Sequence, residues 1–224
     1  MNKVALFDFC ETLTDFQTAD AFVDFVRQQS GSKRMQRMES LQEVLIKTKV
    51  IRVLSVLFPG RSINKRIKLF QLKGFTKEQL ENYAKHYYIE RIKPHFIKPV
   101  NEKLRSLQKD GYKVGLVSGG YGIYLRYFVE EFNLDFCISS NVEICNGSCT
   151  GRLDGLDCLN QNKICLLEKY FPSAPIESIA FSDSRSDLPL LLWVKRGVVI
   201  SRDKHQNWID NYKLEEIIWK KQNS

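Results

Sequence analysis

Four short apolar runs, three of them stopping abruptly on polar side chains, dominate the reading of this chain. Val4-Ala5-Leu6-Phe7, entered from Lys3, stops on Asp8. Lys113–Val117 stops on Ser118-Gly119-Gly120, and Ile179-Ala180-Phe181 on Ser182-Asp183-Ser184; Gly197–Ile200 is the fourth. Runs this short, bounded in this way, predict buried strands. Helical patterns over Val100–Asp110, Gly122–Phe132, Lys163–Tyr170 and Leu188–Val194 separate them. Strands that alternate with helices imply a parallel sheet covered on both faces. Ligands of such sheets sit outside the carboxyl ends of the strands. Asp8, Ser118 and Asp183 therefore fall where binding and catalysis are expected.

Between the first and second strands lies a long stretch without strand alternation. Thr18–Gln29 gathers Ala19, Ala21, Phe22, Phe25 and Val26 on one side. Leu41–Phe58 is a longer aliphatic pattern, halted by Pro59-Gly60. Thr76-Lys77-Glu78-Gln79 has the spacing of a capping box. The stretch is read as a helical cap over residues 15–95, inserted into a core made of residues 1–14 and 96–224. It holds all of the net charge of +8: 16 Lys+Arg against 8 Asp+Glu between Asp15 and Lys93, with 18 of each elsewhere. A field of that sign draws phosphorylated substrates, acidic lipids or nucleic acid. The aliphatic residues are read first as packing within the cap, with contact to a membrane surface as the weaker alternative. Asn146-Gly147, between alternating residues of Glu143–Gly151, predicts a hairpin.

Several classes are excluded. No run of apolar residues is long enough to span a bilayer. With 27% charged and 43% hydrophobic residues the chain is not a disordered one. Asp8 comes too early for a secretory signal, so a cytoplasmic protein is expected. The six cysteines lack CxxC spacing and are read as free thiols of a reducing compartment. Zinc on Cys145, Cys149 and Cys158 is the lesser alternative. His86, His95 and His205 share no ligand spacing.

Taken in order, Asp8-Phe9-Cys10-Glu11-Thr12, Ser118-Gly119-Gly120, Lys163 and Asp183-Ser184-Arg185-Ser186-Asp187 resemble the four motifs of the haloacid dehalogenase superfamily. The likeness is to its phosphoserine-phosphatase-like branch, with a small helical cap after the first strand. The fold it implies is α/β, a Rossmann-like parallel sheet core carrying that cap. It implies Asp8 as nucleophile, forming an aspartyl-phosphate. Mg²⁺ would be held by Asp8, Asp183, Asp187 and the main-chain carbonyl of Cys10. Ser118 and Gly119 would hold the phosphate oxygens, and Lys163 would neutralise the phosphoaspartate and fix Asp8.

The departures from the family pattern bear on function. The family places a second Asp, its general acid and base, where this chain has Cys10. It usually has Gly or Ser where this chain has Glu11, and Gly where it has Ser182. The Glu that grips a substrate ammonium nine residues after the nucleophile is Gln17 here. An ordinary thiol titrates near about 8.5, against about 3.9 for Asp, so proton transfer at Cys10 is handicapped. The expected function is a Mg²⁺-dependent phosphatase of a small phosphorylated metabolite, slowed by Cys10. The alternative is a weak or inactive relative that binds a phosphorylated ligand or a partner. Carbon–phosphorus or carbon–halogen cleavage is a further alternative, and nucleic acid is not expected among the partners. Arg66 and Lys68 are candidates for a second anionic group of the substrate, and otherwise are exposed helix charges.

Overall fold

The computed structural model describes residues 3–49 and 62–221. Among them, one sheet is formed by β1 (Lys3–Phe7), β2 (Lys113–Tyr121), β3 (Phe136–Cys145), β4 (Ser148–Asp154), β5 (Glu177–Ser182), β6 (Arg196–Arg202) and β7 (Glu215–Trp219). Their order across the sheet is β4-β3-β2-β1-β5-β6-β7. Neighbours are parallel throughout except for the β3–β4 hairpin. The helices are α1 (Thr18–Ser30), α2 (Lys33–Lys47), α3 (Ile63–Phe70), α4 (Lys77–Tyr87), α5 (Lys98–Lys109), α6 (Gly122–Phe132), α7 (Gln161–Leu167) and α8 (Leu188–Trp193).

The central strand shows why the sheet is covered on both sides. Val4 and Leu6 join a core with Ile164, Leu167, Leu190 and Leu191 of α7 and α8. Ala5 and Phe7, on the opposite face, join a larger core with α1, α4, α5 and α6. Alternate residues of a strand point to opposite faces, so a continuous apolar run feeds both layers at once. Phe7 stacks on Phe181 of the neighbouring β5, with ring centroids 4.4 Å apart. From β1 the chain crosses to β2 on one side, while β5 flanks the other. Asp8 therefore stands where the strand order reverses, the usual place for a ligand crevice.

The helices α1 to α4 lie in the segment between β1 and β2. The chain leaves and re-enters at one place: Thr14 and Phe96 form an antiparallel bridge. Asp15 N–H donates to His95 O (3.0 Å) and Ile97 N–H to Leu13 O (2.9 Å). Gly31, at φ +58°, ends α1 in the left-handed conformation. Ser32 then caps α2 by accepting from Met35 N–H. The capping box at Thr76 forms with both of its hydrogen bonds. The β3–β4 hairpin turns on Asn146-Gly147, both at positive φ, and clasps the inserted segment. Gly74 N–H donates to Cys149 O and Cys149 N–H to Phe75 O, each at 2.8 Å.

Some elements differ from their sequence expectation. The second strand does not stop at Val117 but stays extended to Tyr121, pairing with Ser140 after a register shift. The helix read over Leu41–Phe58 begins earlier, at Lys33, and ends at Lys47 with Thr48 as its C-cap; the expectation for residues 50–58 lies outside the described residues. Only Met35 and Gln42 of α2 are buried, so its start has no apolar signature. The helix at Lys163 starts at Gln161 and ends at Leu167. β7 was not foreseen: Glu215 and Glu216 open an edge strand that is only partly buried.

Candidate active site

The ends of β1 and β5, the last part of β2 and one helix converge on a cavity of about 420 Å³. β1 delivers Asp8, whose N–H is held by Phe181 O at 2.9 Å. β2 delivers Ser118 and Gly119, and β5 delivers Asp183 through the loop that continues to Asp187. α7 contributes Lys163. All six of these residues and Cys10 line the cavity. A Cβ at 119 would lie 2.4 Å from Leu159 Cδ2, so any larger residue would make that side chain turn aside.

Lys163 is the centre of the charge arrangement. Its side chain is 1% exposed. The ammonium donates to Asp8 Oδ1 at 2.7 Å and to Asp187 Oδ2 at 2.6 Å. Burial alone would lower its pKa, but the two carboxylates outweigh that and hold it raised. Burial pushes Asp8 up to about 6 against the pull of Lys163, and Asp187 adds to the rise. Ser182 Oγ donates to Asp187 Oδ2 at 2.6 Å, so it helps to fix the carboxylate that holds the lysine.

Thr12 joins the first loop to the last. Its hydroxyl donates to Asp183 Oδ1 (3.1 Å) and accepts from Asp183 N–H (3.0 Å). Burial, and the charges of Asp8 and Glu11, push Asp183 up to about 8. Asp8 stays raised although Lys163 is bonded to it, and Asp183 is raised by burial beside other carboxylates, so negative charge outweighs positive here, and hard oxygen donors suit Mg²⁺. The donor set therefore fits a divalent cation. Among the described residues no three His, Cys, Asp or Glu side chains are gathered as a ready metal cage. A main-chain carbonyl would have to complete the set.

Cys10 lies at the cavity wall, 9% exposed. Its Sγ is 3.0 Å from Thr18 Oγ1 and accepts from Thr18 N–H at 3.5 Å. Thr18 Oγ1 continues to Tyr124 OH at 2.8 Å. Burial, then the Asp8 charge, pushes the thiol up to about 11. Glu11 sits at φ +55°, a left-handed conformation that is costly for a residue with a Cβ. Its carboxylate accepts from Gln17 Nε2, so Gln17 is tied to its neighbour.

The other candidates fall elsewhere. Lys68 is not an exposed helix charge: it is buried and paired with Glu39 and Asp24 at 2.8 Å each. Arg66 is exposed and lines a separate cavity with Gly151 and Arg152. His95 bonds Asp15, and His205 bonds Glu216 and Asp210. Lys65, which lines the cavity, and its partner Asp157 had no signal in the sequence: both are ordinary charges until packing buries them.

A parallel sheet with an acid at its central strand end, a lysine clamped between carboxylates and helices inserted after β1 define a Rossmann-like α/β fold with a candidate active site at the strand ends. Residues 5–192 match the family model of the haloacid dehalogenase-like hydrolases, and the chain belongs to that family. A phosphoserine phosphatase of Methanocaldococcus jannaschii is 27% identical over 232 residues, covering 96% of each chain. One from Archaeoglobus fulgidus is 37% identical over 129 residues, 56% of this chain and 35% of that relative. The chain thus spans only about a third of the latter's length, and 25% of the Streptomyces coelicolor phosphoserine phosphatase. Among solved structures, a protein of unknown function from Bordetella pertussis superposes with a TM-score of 0.77 at 17% identity, covering 97% of this chain and 98% of that one. A phospho-aspartyl intermediate analogue of phosphoserine phosphatase superposes at 0.62 and 18%, covering 97% and 93%. These superpositions establish the α/β fold with helices inserted after β1. Among the described residues no helix is long and apolar enough to cross a membrane.

Proposed function

We propose that the chain is a phosphatase of a small phosphorylated metabolite, working through phosphorylation of Asp8 and slowed by Cys10. One observation carries this reading: the Lys163 ammonium, buried between Asp8 and Asp187, faces the same cavity as Ser118 and Gly119. Residues 15–95 are read as the cap and residues 1–14 with 96–224 as the core.

In the first step an Asp8 carboxylate oxygen attacks phosphorus, and the bond from phosphorus to the substrate oxygen breaks. Ser118 Oγ–H and Gly119 N–H hold phosphate oxygens, and Lys163 keeps Asp8 ionised and oriented. In the second step water attacks the same phosphorus, the bond to Asp8 breaks, and the carboxylate and inorganic phosphate are released. Mg²⁺, held by Asp8, Asp183, Asp187 and the Cys10 carbonyl, would offset the repulsion between carboxylate and phosphate. An alkoxide leaving group must gain a proton and the attacking water must lose one. Cys10 carries a proton for the first transfer, but its raised pKa keeps it protonated at rest, so unless it has just given that proton away it has no free site to accept one from the attacking water. The cap side of the cavity presents Gln17, Ala19, Asp20, Ser62, Asn64 and Lys65. With Gln17 engaged by Glu11, phosphoserine is not favoured over other small phosphomonoesters.

The neutral thiol also supports a second reading, a relative that binds a phosphorylated ligand without turning it over. A panel of phosphorylated metabolites, with and without Mg²⁺, separates the two. The expected result is Mg²⁺-dependent phosphate release that Asp8→Asn abolishes, together with loss of the labelled phosphoenzyme. Release that survives Asp8→Asn refutes the mechanism. Binding of phosphate without any release favours the second reading.

A further inference from the structure

Lys65 is placed where a lysine is costly. It belongs to α3, in the inserted segment, yet its side chain is only 10% exposed. Its ammonium donates to Gly119 O at 2.7 Å, to Ser140 Oγ at 3.1 Å and to Asp157 Oδ1. These partners come from β2, from β3 and from the loop before α7, so one inserted side chain meets three core elements. An ammonium has three protons to donate, and this one has three acceptors. Ser140 Oγ also donates to Asp157 Oδ1 at 2.7 Å and accepts from Cys158 N–H at 3.0 Å. The other oxygen of Asp157 has no hydrogen-bond partner among the described residues.

A buried ion pair is a weak way to add stability, since desolvation cancels much of its attraction. The insertion is already tied to the core by the main-chain bonds of Gly74, Phe75 and Lys77 to the hairpin. The geometry points instead to the peptide that joins Gly119 and Gly120. Its carbonyl accepts from Lys65 at 2.7 Å, and its N–H donates to Ser118 Oγ at 3.2 Å. The two grips act on opposite ends of one peptide plane, between two glycines, where the backbone is most free to turn. Because Ser118 Oγ accepts from Gly120, its own proton is left for another acceptor.

We propose that Lys65 is a positioning residue. By locking the Gly119–Gly120 peptide it keeps Ser118 poised as a donor to phosphate, so docking of α3 and binding of phosphate favour each other. This rests on the reading of Ser118 and Gly119 as the phosphate holders. Coupling of this kind is reciprocal, and typically changes affinity by about 5–150-fold.

The test uses the full chain with Mg²⁺ present, inorganic phosphate as the probe, calorimetry for affinity and thermal unfolding for stability. Lys65→Met leaves Asp157 buried and unpaired, so the Tm falls, and phosphate affinity falls within the range above. The double variant Lys65→Met/Asp157→Leu removes both buried charges. Its Tm recovers, while its phosphate affinity stays low, which a merely structural lysine would not produce. Recovery of both in the double variant overturns the proposal, as does unchanged affinity in folded Lys65→Met. If Lys65→Met alone does not fold, the double variant decides. Wild-type protein that binds no phosphate overturns the reading of Ser118 and Gly119, and the role of Lys65 with it.

Discussion

Under the proposed mechanism, replacing Cys10 by Asp isolates proton transfer at residue 10. With the thiol at about 11, about one molecule in 10⁴ carries a thiolate at pH 7. Forming it there costs about 5 kcal/mol, at roughly 1.36 kcal/mol per pKa unit. General base help is worth about 10²–10⁴ in rate, so Cys10 supplies almost none of it to the water that cleaves phospho-Asp8. The first step suffers less, because the thiol is always protonated and p-nitrophenolate needs no proton to leave. The wild-type protein should therefore phosphorylate Asp8 faster than it releases phosphate. Rapid-quench assays with p-nitrophenyl phosphate should show a burst of nitrophenol near one equivalent.

Cys10→Asp should raise the steady-state rate by about 10²–10⁴ and abolish the burst. The burst rate itself should change less than the steady state. The local structure is ready for a carboxylate: Thr18 N–H and Thr18 Oγ1 already face the position. Burial beside Asp8 and Asp183 would raise the new Asp, moving it toward the range where an acid–base catalyst works best. A wild-type protein without a burst, or a folded Cys10→Asp no faster than wild type, would show that proton transfer at residue 10 does not limit turnover.

Two further outcomes follow from the same geometry. Asp8 and Asp183 are raised above their ordinary value by burial, so the metal-free fold binds their protons more tightly than the unfolded chain does. That stability is fully present below the unfolded pKa of about 3.9 and is lost as the pH rises through about 6 and about 8. Mg²⁺ should then raise the Tm more at pH 8 than at pH 6, and calorimetry should record proton release on binding at pH 7; equal Tm shifts at both values would count against a carboxylate metal site. Gly119→Ala should cost about 1 kcal/mol, because the new Cβ lies 2.4 Å from Leu159 Cδ2, the end of a side chain that can turn aside. Chemical denaturation measures that cost, and Leu159→Ala on the same background should recover part of it.

What was legible in the sequence was what the sheet positions by topology. Asp8, Ser118, Gly119 and Asp183 follow apolar runs, and a parallel sheet brings such ends to one edge whatever the details of packing. The structure adds that Lys163, from α7, reaches between Asp8 and Asp187. The edge strand β7 escaped because Glu215-Glu216-Ile217-Ile218 neither alternates nor forms a buried run. The hydrogen bonds of Thr12, Thr18 and Ser182 were not legible, because a hydroxyl carries no sign of its partner until the loops meet.

The inserted helices obey a different logic. Successive residues of a helix turn by about 100°, so the role of a charge depends on a rotation that only packing sets. Within one helix, Lys65 and Lys68 are buried while Arg66 between them is exposed. Lys65 and Lys68 share a face at i, i+3, yet their partners lie in different layers. Lys68 turns inward to Asp24 and Glu39 of the insertion, while Lys65 reaches Gly119, Ser140 and Asp157 of the core. The positive charge of the insertion is thus not simply a surface field awaiting an anion. Part of it is consumed in holding the insertion together, and part is spent on the loop beside Asp8. Charge counts along the chain measure neither share, because a cation drawn inward by a carboxylate and one left in water contribute equally to the sum.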